Sequence, residues 1–162
     1  MGGVLGNPRF HGLREKRVGR YGYNDKIVPT ALAKQSTKVL RLWARVERVV
    51  RAADPYFEFS SVQVNRNFRG SPHRDRHDKS YQYALSLGDF GGGGRLMAET
   101  GDPGTIVAYE TRGRLTRLDG RRVHWVEDYT EERFSLIVFS VVGPGTPVSD
   151  ETNAHEYDGN PF

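Results

Sequence analysis

The sequence predicts a mainly β fold with one packed helix, in the form of a small barrel or a jelly-roll sandwich. One amphipathic pattern with helical spacing precedes a long region of short apolar or alternating segments, which turn signals separate from one another. The length of 162 residues suits a single domain. No apolar run approaches the roughly 18 residues that a membrane span requires, so we expect no membrane association.

The predicted domain covers residues 29–142, between an N-terminal arm over 1–28 and a C-terminal tail over 143–162. Both ends are rich in glycine and show no hydrophobic period, which is typical of segments outside a packed core. Within the domain we expect a supporting helix over residues 30–53 and a β core over residues 55–142.

The helix is predicted from its apolar stripe and from its two end signals. Apolar residues recur at steps of three and four, at Val39, Leu42, Val46, Val49 and Ala53. Basic residues cluster about a third of a turn away, at Lys34, Lys38, Arg41, Arg45 and Arg48. Thr30 suits the N-cap, and Asp54-Pro55 ends the helix because a residue before proline is disfavoured in the helical conformation. The helix therefore buries one face and presents a cationic one.

Short segments with strand-like patterns predict the β core. They cover residues 57–67, 81–87, 95–100, 105–110, 115–118, 123–126 and 134–142. Residues 101–104 (GDPG) are a strong hairpin signal, and Asp119-Gly120 marks a second turn. Residues 91–94 are four glycines that form another turn rather than a nucleotide loop, since neither a Lys-Ser/Thr pair nor a helix follows them.

Composition limits the chemistry and indicates a class of partner. The chain has no cysteine, so a metal must bind through histidine and carboxylate. Residues 1–80 carry 17 Lys or Arg and 7 Asp or Glu, whereas residues 81–162 carry 7 and 13. A basic half is compatible with nucleic acid as a partner, and equally with a solvated helix face. The first residues lack the apolar region of a secretory signal, so we expect an intracellular protein, and we expect a monomer.

Three residues predict a metal site. Residues i and i+2 of an extended strand project from the same face, about 6–7 Å apart, so His73 and Asp75 can offer a nitrogen and an oxygen to one ion. His124 lies in the apolar segment 123–126, and a barrel that brings this segment beside the first completes the set. Two histidines and one carboxylate leave three coordination positions open, which favours Fe(II) over Zn²⁺.

Arg133 opens the apolar strand predicted over 134–142, and a buried guanidinium at that point requires an anion. A carboxylate fits because it can accept two parallel hydrogen bonds from the guanidinium. Ser135 faces the same side and can donate its hydroxyl to the same anion. The anion is either an Asp or Glu of this chain or a bound dicarboxylate, and the sequence leaves both open.

The combination His73-x-Asp75, His124 and Arg133-x-Ser135 resembles the Fe(II)- and 2-oxoglutarate-dependent dioxygenases in order and spacing, over about residues 55–142. The resemblance implies a double-stranded β-helix, which is a jelly-roll or cupin-like barrel. It also implies that the triad ligates Fe(II), that O2 is a cosubstrate, and that Arg133 and Ser135 hold the distal carboxylate of 2-oxoglutarate.

Further cosubstrate contacts are expected near this core set. Candidates for the nearer carboxylate of 2-oxoglutarate are Asn65, Arg66, Asn67 and Arg69. Tyr81 and Tyr83 alternate with small or polar residues, and they either line the pocket or belong to the hydrophobic core.

Residues 64–68 (VNRNF) and 85–92 (LSLGDFGG) resemble the TET/JBP branch, which oxidises the methyl group of 5-methylcytosine or thymine in DNA. Some members place an Asp that contacts the target base three residues after the metal Asp, and Asp78 has this spacing. The same members place a base-contacting His eight residues after the 2-oxoglutarate Arg, where this chain has Val141. His77 is expected to face the substrate or to be an ordinary surface histidine.

The sequence therefore predicts a dioxygenase that oxidises a C–H bond, with the methyl group of a modified base in nucleic acid as the first hypothesis. The second hypothesis is the same chemistry on a protein side chain or a small metabolite, which Val141 and the compact size favour. The third is a metal-binding β-barrel without turnover. The basic helix serves nucleic acid at the pocket only if its cationic face opens toward the pocket rather than lying behind the sheet.

Overall fold

The computed structural model describes residues 37–102 and 104–141, which form one helix and seven strands. The elements are α1 (Thr37–Ala53), β1 (Ser61–Arg66), β2 (Gln82–Leu87), β3 (Leu96–Glu99), β4 (Ile106–Tyr109), β5 (Thr116–Leu118), β6 (His124–Val126) and β7 (Phe134–Phe139). The predicted arm over 1–28, the first part of the predicted helix with Thr30, and the tail over 143–162 lie outside the described residues. Among the described residues, no helix has the length and apolar character needed to span a bilayer.

Two antiparallel sheets form the β core, with strand orders β1-β7-β2-β5 and β4-β3-β6. Buried apolar side chains from both sheets meet in one cluster, which contains Ala84, Leu96, Ala98, Tyr109 and Leu118. The predicted mainly β class with one packed helix is confirmed. The described strands form two separate sheets, so the barrel closure that the resemblance implies is not seen in this part of the chain.

The helix α1 packs on one face of the four-stranded sheet. Side chains alternate along each strand, so this sheet has an apolar face toward the helix and a second face toward the other sheet. The cluster that the helix and the sheet share contains Trp43, Val46, Val50, Phe57, Val62, Tyr83 and Val138. We call this side the helix face and the opposite side the cavity face. The exposed side chains of Arg41, Arg45 and Arg48 in α1 therefore lie behind the sheet, away from the cavity face.

The ends of several elements differ from the predicted ones. The helix ends at Ala53 as predicted, and the backbone N–H of Asp54 donates to the carbonyl of Val50 at 2.7 Å. The strand predicted from residue 57 begins only at Ser61, because the alternating phenylalanines before it pack instead of pairing. The side chain of Phe57 is 2% exposed and stacks on Tyr81 with ring centroids 5.0 Å apart. The strands β3 and β4, on either side of the predicted hairpin residues, pair as antiparallel neighbours.

Candidate active site

The metal-site residues come together because their backbones are paired. The backbone N–H of His73 donates to the carbonyl of His124 at 3.1 Å, and the N–H of His124 donates back to His73 at 2.9 Å. A further backbone hydrogen bond between these two segments joins the N–H of Asp75 to the carbonyl of Gly120 at 2.8 Å. One ligand atom from each of His73, Asp75 and His124 lies within 4.8 Å of the other two. The three residues predicted to share one ion are therefore close enough to do so.

Both imidazoles present the same nitrogen to the site. Nδ1 of His73 lies 2.6 Å from the carbonyl oxygen of Ser71, and Nδ1 of His124 lies 2.9 Å from the carbonyl oxygen of Arg122. A carbonyl only accepts hydrogen bonds, so each Nδ1 carries a hydrogen, and each Nε2 is the nitrogen that can bind a metal once it carries no proton. Metal-ligating histidines usually have their second nitrogen fixed in this way, which sets both the tautomer and the ring orientation.

The carboxylate and the buried imidazole of the triad stabilise each other's charged forms. Oδ2 of Asp75 lies 3.5 Å from Nε2 of His124, which is buried. Burial alone raises the pKa of Asp75, but the hydrogen bond and charge of His124, with help from His73 and Gln82, lower it on balance. Burial lowers the pKa of His124, but the hydrogen bonds to Asp75 and to the backbone of Arg122, together with the charges of Asp75 and Asp119, raise it on balance. The site is therefore suited to a cation, which would take the place of the proton shared by this pair.

The donor set fits a divalent iron ion. Two nitrogens and one oxygen from three residues form the facial arrangement that non-haem Fe(II) enzymes use, and it leaves positions for other ligands. Structural zinc sites usually have four protein ligands, which this group does not offer.

Arg133 is buried just before β7, with 3% of its surface exposed. Its Nε donates to the carbonyl of Gly94 at 3.2 Å, and its Nη2 lies 3.5 Å from Oγ1 of Thr111. The guanidinium carbon lies 5.3 Å from the ring centroid of Phe90 and 5.6 Å from that of Tyr129. No carboxylate of the described residues forms an ion pair with it. Burial lowers the pKa of Arg133 because its charge has left water.

Two residues that sequence reasoning missed hold this guanidinium. Thr111 is fully buried, and its Oγ1 lies 2.7 Å from the hydroxyl of Ser86, so a hydrogen-bonded chain leads from β2 to Arg133. Gly94 has φ +86°, and a Cβ there would lie 2.6 Å from the ring of Phe90. Only glycine can therefore bring its carbonyl to Arg133 beneath that ring. Both residues lie far from Arg133 in the chain, and neither has a recognisable local motif.

One cavity of about 900 Å³ brings the two parts of the site together. The metal triad, Arg133, Ser135 and Thr111 all line it. Ser135 is buried, and its Oγ accepts a hydrogen bond from Nδ2 of Asn65 at 3.4 Å. Asn65 also lines the cavity and is linked through its Oδ1 to Gln63 at 3.1 Å. The polar groups of β1 and β7 therefore form one wall of the cavity.

Five of the residues considered for the cosubstrate site lie outside the lining of this cavity: Arg66, Asn67, Arg69, Tyr81 and Tyr83. Arg69 instead donates to the backbone carbonyl of Tyr129 and lies 3.3 Å from Oδ1 of Asp128. Arg66, the last residue of β1, pairs with Glu132, which precedes β7, and both side chains are partly exposed. Asn67 has φ +53°, and its Oδ1 accepts the backbone N–H of Arg133 at 2.9 Å, so it supports Arg133 from behind. Tyr83 lies on the helix face, where its hydroxyl donates to Oδ2 of Asp54 at 3.0 Å. For Tyr83, the core alternative of the prediction is the one that the structure shows.

The residues expected near the substrate do line the cavity. His77 is exposed there. Asp78 is 6% exposed, and its Oδ2 has no hydrogen-bond partner among the described residues. Burial, with the charge of Asp75 next in importance, raises the pKa of Asp78 to about 8. Val141 is buried in the same lining, where the resembled members have a histidine.

Comparisons with known proteins return solved structures only. No family model and no curated protein matches the chain. One similar structure is an oxidoreductase of the 2OG-Fe(II) oxygenase family from Burkholderia pseudomallei, with 22% identity, TM-score 0.48, and coverage of 69% of this chain and 61% of that one. Another is a prolyl hydroxylase from Trichoplax adhaerens in complex with a hypoxia-inducible factor peptide, with 14% identity, TM-score 0.39, and coverage of 62% and 55%. The chain thus spans less than two thirds of the length of either protein.

Proposed function

We propose that this chain is an Fe(II)- and 2-oxoglutarate-dependent dioxygenase that oxidises a C–H bond, and that its substrate is a methylated base, 5-methylcytosine or thymine, in nucleic acid. One observation carries the proposal. A single cavity contains a two-histidine, one-carboxylate triad and a buried guanidinium with which no carboxylate of the described residues forms an ion pair. A buried, unpaired charge is costly, so its retention supports an anionic ligand in the cavity.

The residues of the chain divide the work of the reaction. When bound, Fe(II) with 2-oxoglutarate and O2 supplies the oxidation, in which the cosubstrate becomes succinate and CO2 and one oxygen atom enters a substrate C–H bond. The triad would hold the ion through the imidazoles of His73 and His124 and the carboxylate of Asp75. Arg133 binds the distal carboxylate of the cosubstrate with its Nη groups, since Nε is already bonded to Gly94. The hydroxyl of Ser135 donates to the same carboxylate.

Charge and shape at the cavity support nucleic acid as the substrate. Arg76 and His77 are exposed in the lining, and neither forms an ion pair with a carboxylate of the described residues, so both can meet phosphate. Phe68 and Trp125 also line the cavity and offer aromatic surfaces to an unstacked base. The basic stripe of α1 does not contribute, because the helix packs on the opposite side of the sheet.

Asp78 supports a base as the group that enters. Its Oδ2 is buried and unpartnered among the described residues, so a ligand that hydrogen-bonds this carboxyl group would satisfy it. Cytosine offers its exocyclic amine and thymine its ring N–H. Replacing Asp78 by alanine is therefore expected to slow oxidation of the base more than it slows the formation of succinate.

A second substrate class is favoured by Val141. Its apolar side chain is buried in the lining where the resembled members use a histidine to contact the base. A site that lacks this polar contact is better suited to an aliphatic group. The alternative is therefore the same chemistry on a protein side chain or a small metabolite.

The decisive experiment measures succinate and then the oxidised product. The protein is incubated with Fe(II), ascorbate and 2-oxoglutarate, with the His73→Ala variant as control, and succinate is quantified. Methylated and unmethylated oligonucleotides are then added and analysed by mass spectrometry for hydroxymethyl bases. We expect succinate from the wild type only, stimulation by the methylated strand, and binding that weakens steeply with salt because phosphate contacts release counterions.

Each other result identifies a different alternative. Succinate without any base product, together with salt-independent binding, would eliminate nucleic acid and leave the side-chain or metabolite hydroxylase. Metal binding without succinate would overturn the dioxygenase and leave a metal-binding β-barrel without turnover.

A further inference from the structure

Two buried aromatic side chains, Phe90 and Tyr129, enclose the guanidinium of Arg133. They are 2% and 3% exposed. The guanidinium carbon lies 5.3 Å from the ring centroid of Phe90 and 5.6 Å from that of Tyr129, and the two centroids are 5.9 Å apart. The ring planes are inclined at 70° to each other, so the guanidinium lies in a corner between them. We call these two rings the aromatic corner.

Backbone pairing holds the aromatic corner together. Gly91 follows Phe90 in the chain, and Thr130 follows Tyr129. The N–H of Thr130 donates to the carbonyl of Gly91 at 2.9 Å, and the N–H of Gly91 donates to the carbonyl of Thr130 at 3.3 Å. The two segments that carry the rings are therefore fixed against each other directly beside the rings.

Gly94 lies in the same corner and links it to the guanidinium. A Cβ at this position would lie 2.6 Å from the ring of Phe90 and 3.3 Å from the Cβ of Tyr129. The carbonyl of Gly94 accepts Nε of Arg133 at 3.2 Å. The aromatic corner therefore places both the guanidinium and the carbonyl that sets its rotation.

The contacts that the described residues make with this guanidinium include no carboxylate. They are the two rings, the carbonyl of Gly94 and, at 3.5 Å, the hydroxyl of Thr111. The face of an aromatic ring attracts a cation through its quadrupole, and more strongly where water is excluded. A carboxylate would orient the guanidinium as well, but it would also cancel the charge. The aromatic corner orients Arg133 and leaves its charge for an anion.

The rings lie behind Arg133 with respect to a ligand. Arg133 lines the cavity, whereas neither Phe90 nor Tyr129 does. A ligand in the cavity therefore meets the guanidinium and not the rings. Any effect of the rings on binding has to act through the direction of Arg133.

We propose that Phe90 and Tyr129 are positioning residues of the anion site: their rings fix the direction of the Arg133 guanidinium, and thereby the preference of the cavity for a cosubstrate with a distal carboxylate. The inference rests on the proposed function, because it takes this anion to be the distal carboxylate of 2-oxoglutarate. A binding group that is already oriented loses less freedom when the ligand arrives, so it binds more tightly.

The test removes each ring while keeping an apolar side chain. The variants are Phe90→Leu and Tyr129→Leu. In the control Phe57→Leu, an equally buried phenylalanine is changed on the helix face. Tyr129→Phe is the conservative variant, since it keeps the ring and loses only the hydroxyl, which donates to the carbonyl of Phe68 at 3.4 Å.

Calorimetry measures how tightly each full-length protein, loaded with Mn(II), binds 2-oxoglutarate and 2-oxopentanoate. The second compound has the same number of carbon atoms and lacks the distal carboxylate. A general loss of structure weakens the binding of both compounds, whereas a misdirected Arg133 weakens only that of 2-oxoglutarate. The ratio of the two affinities therefore separates a positioning role from a structural one. Steady-state succinate formation gives the KM and kcat for 2-oxoglutarate.

We expect the wild type to prefer 2-oxoglutarate, and Phe90→Leu and Tyr129→Leu to lower this preference roughly 10-fold, as is typical of a desolvated cation–ring contact. Their affinity for 2-oxopentanoate should stay within about twofold of the wild type, because the metal site is unchanged. The KM for 2-oxoglutarate should rise while kcat at saturation stays the same. Tyr129→Phe and Phe57→Leu should keep the wild-type ratio. If Phe90→Leu does not fold, Tyr129→Leu and Tyr129→Phe carry the test.

The proposed function and the positioning role fail in different ways. A wild type that binds neither compound, or that binds both equally, would overturn the proposed function and this inference together. A wild type that prefers 2-oxoglutarate, beside Phe90→Leu or Tyr129→Leu variants with the same ratio, would overturn the positioning role alone. An equal fall of the ratio in Phe57→Leu would also overturn it, since the effect would then follow from any loss of a buried ring.

Discussion

The two faces of the sheet β1-β7-β2-β5 differ in whether all of their polar groups have a partner within the chain. On the helix face, Oδ2 of Asp54 accepts the hydroxyls of Tyr81 at 2.8 Å and Tyr83 at 3.0 Å. On the cavity face, Oδ2 of Asp78 and Oε1 of Gln82 have no partner among the described residues. The buried guanidinium of Arg133, at the same side, has no carboxylate ion pair in this part of the chain.

This difference distinguishes polar groups that stabilise the fold from polar groups that are suited to binding a ligand. A buried polar group without a partner costs about 1–3 kcal/mol, and a buried charge costs more. Groups on the helix face avoid that cost within the chain, so they stabilise the fold. The unpartnered groups on the cavity face can avoid it only when something binds. Variants on the two faces should therefore affect different measurements.

The largest effect is expected from removing a metal ligand at the cavity. His124→Ala deletes the buried nitrogen ligand of the triad, so Fe(II)-dependent succinate formation and Mn(II) binding should both be lost. The loss should exceed the roughly 10–100-fold typical of residues that only support a ligand. Calorimetric titration with Mn(II) and a succinate assay measure it. Wild-type affinity in this variant would show that His124 is not a ligand.

The matching change on the helix face should affect stability instead. Phe57 is 2% exposed and packs against Tyr81 and Tyr83. Phe57→Ala should lower the free energy of unfolding by about 3–5 kcal/mol, as is typical when a buried aromatic ring is removed. Urea denaturation measures it. Mn(II) affinity of the folded fraction should stay unchanged, and a selective loss of affinity would contradict the separation of the two faces.

Arg133 provides the sharpest comparison, because its removal should weaken binding without weakening the fold. Arg133→Met should raise the KM for 2-oxoglutarate by roughly 100-fold, since two charge-assisted hydrogen bonds to the distal carboxylate are lost. The metal-free protein should be equally or more stable in urea, because an unpaired buried charge has been replaced by an apolar chain.

Arg133→Lys is the matched control, since it keeps the charge but loses the planar fork, and it should give an intermediate KM. Strong destabilisation by Arg133→Met, with an unchanged KM, would mean that the guanidinium is a structural group.

Short-range spacing and chain order predicted which residues come together at the candidate metal site and at Arg133. His73 and Asp75 are two residues apart, and the apolar segment around His124 is visible as a strand, so only their pairing had to be supplied by the fold. Arg133 and Ser135 follow the same alternation. The groups that hold them were not predictable, because Gly94 and Thr111 lie 39 and 22 residues from Arg133 and belong to connections between strands.

The sequence of a single strand also does not show which of its two faces will line the cavity. In β2, the aromatic side of the strand looks suited to a pocket, yet Tyr83 lies beneath α1, while Gln82 and Ala84 line the cavity. The reason lies in another element: the apolar stripe of α1 needs an apolar surface, and the aromatic side of β2 provides it. The small, polar side remains for the cavity.

The smallest effect should come from a single hydroxyl on the helix face. Tyr83→Phe removes one of the two donors to Asp54 but leaves the hydroxyl of Tyr81 in place at 2.8 Å, so the carboxylate keeps a partner. The free energy of unfolding should therefore fall by about 1 kcal/mol, the usual net contribution of one hydrogen bond. The KM for 2-oxoglutarate should stay at the wild-type value, because the ring lies on the side of the sheet away from the cavity. Urea denaturation measures the free energy of unfolding, and steady-state kinetics measure the KM. A raised KM with unchanged stability would show that Tyr83 contacts the cosubstrate after all.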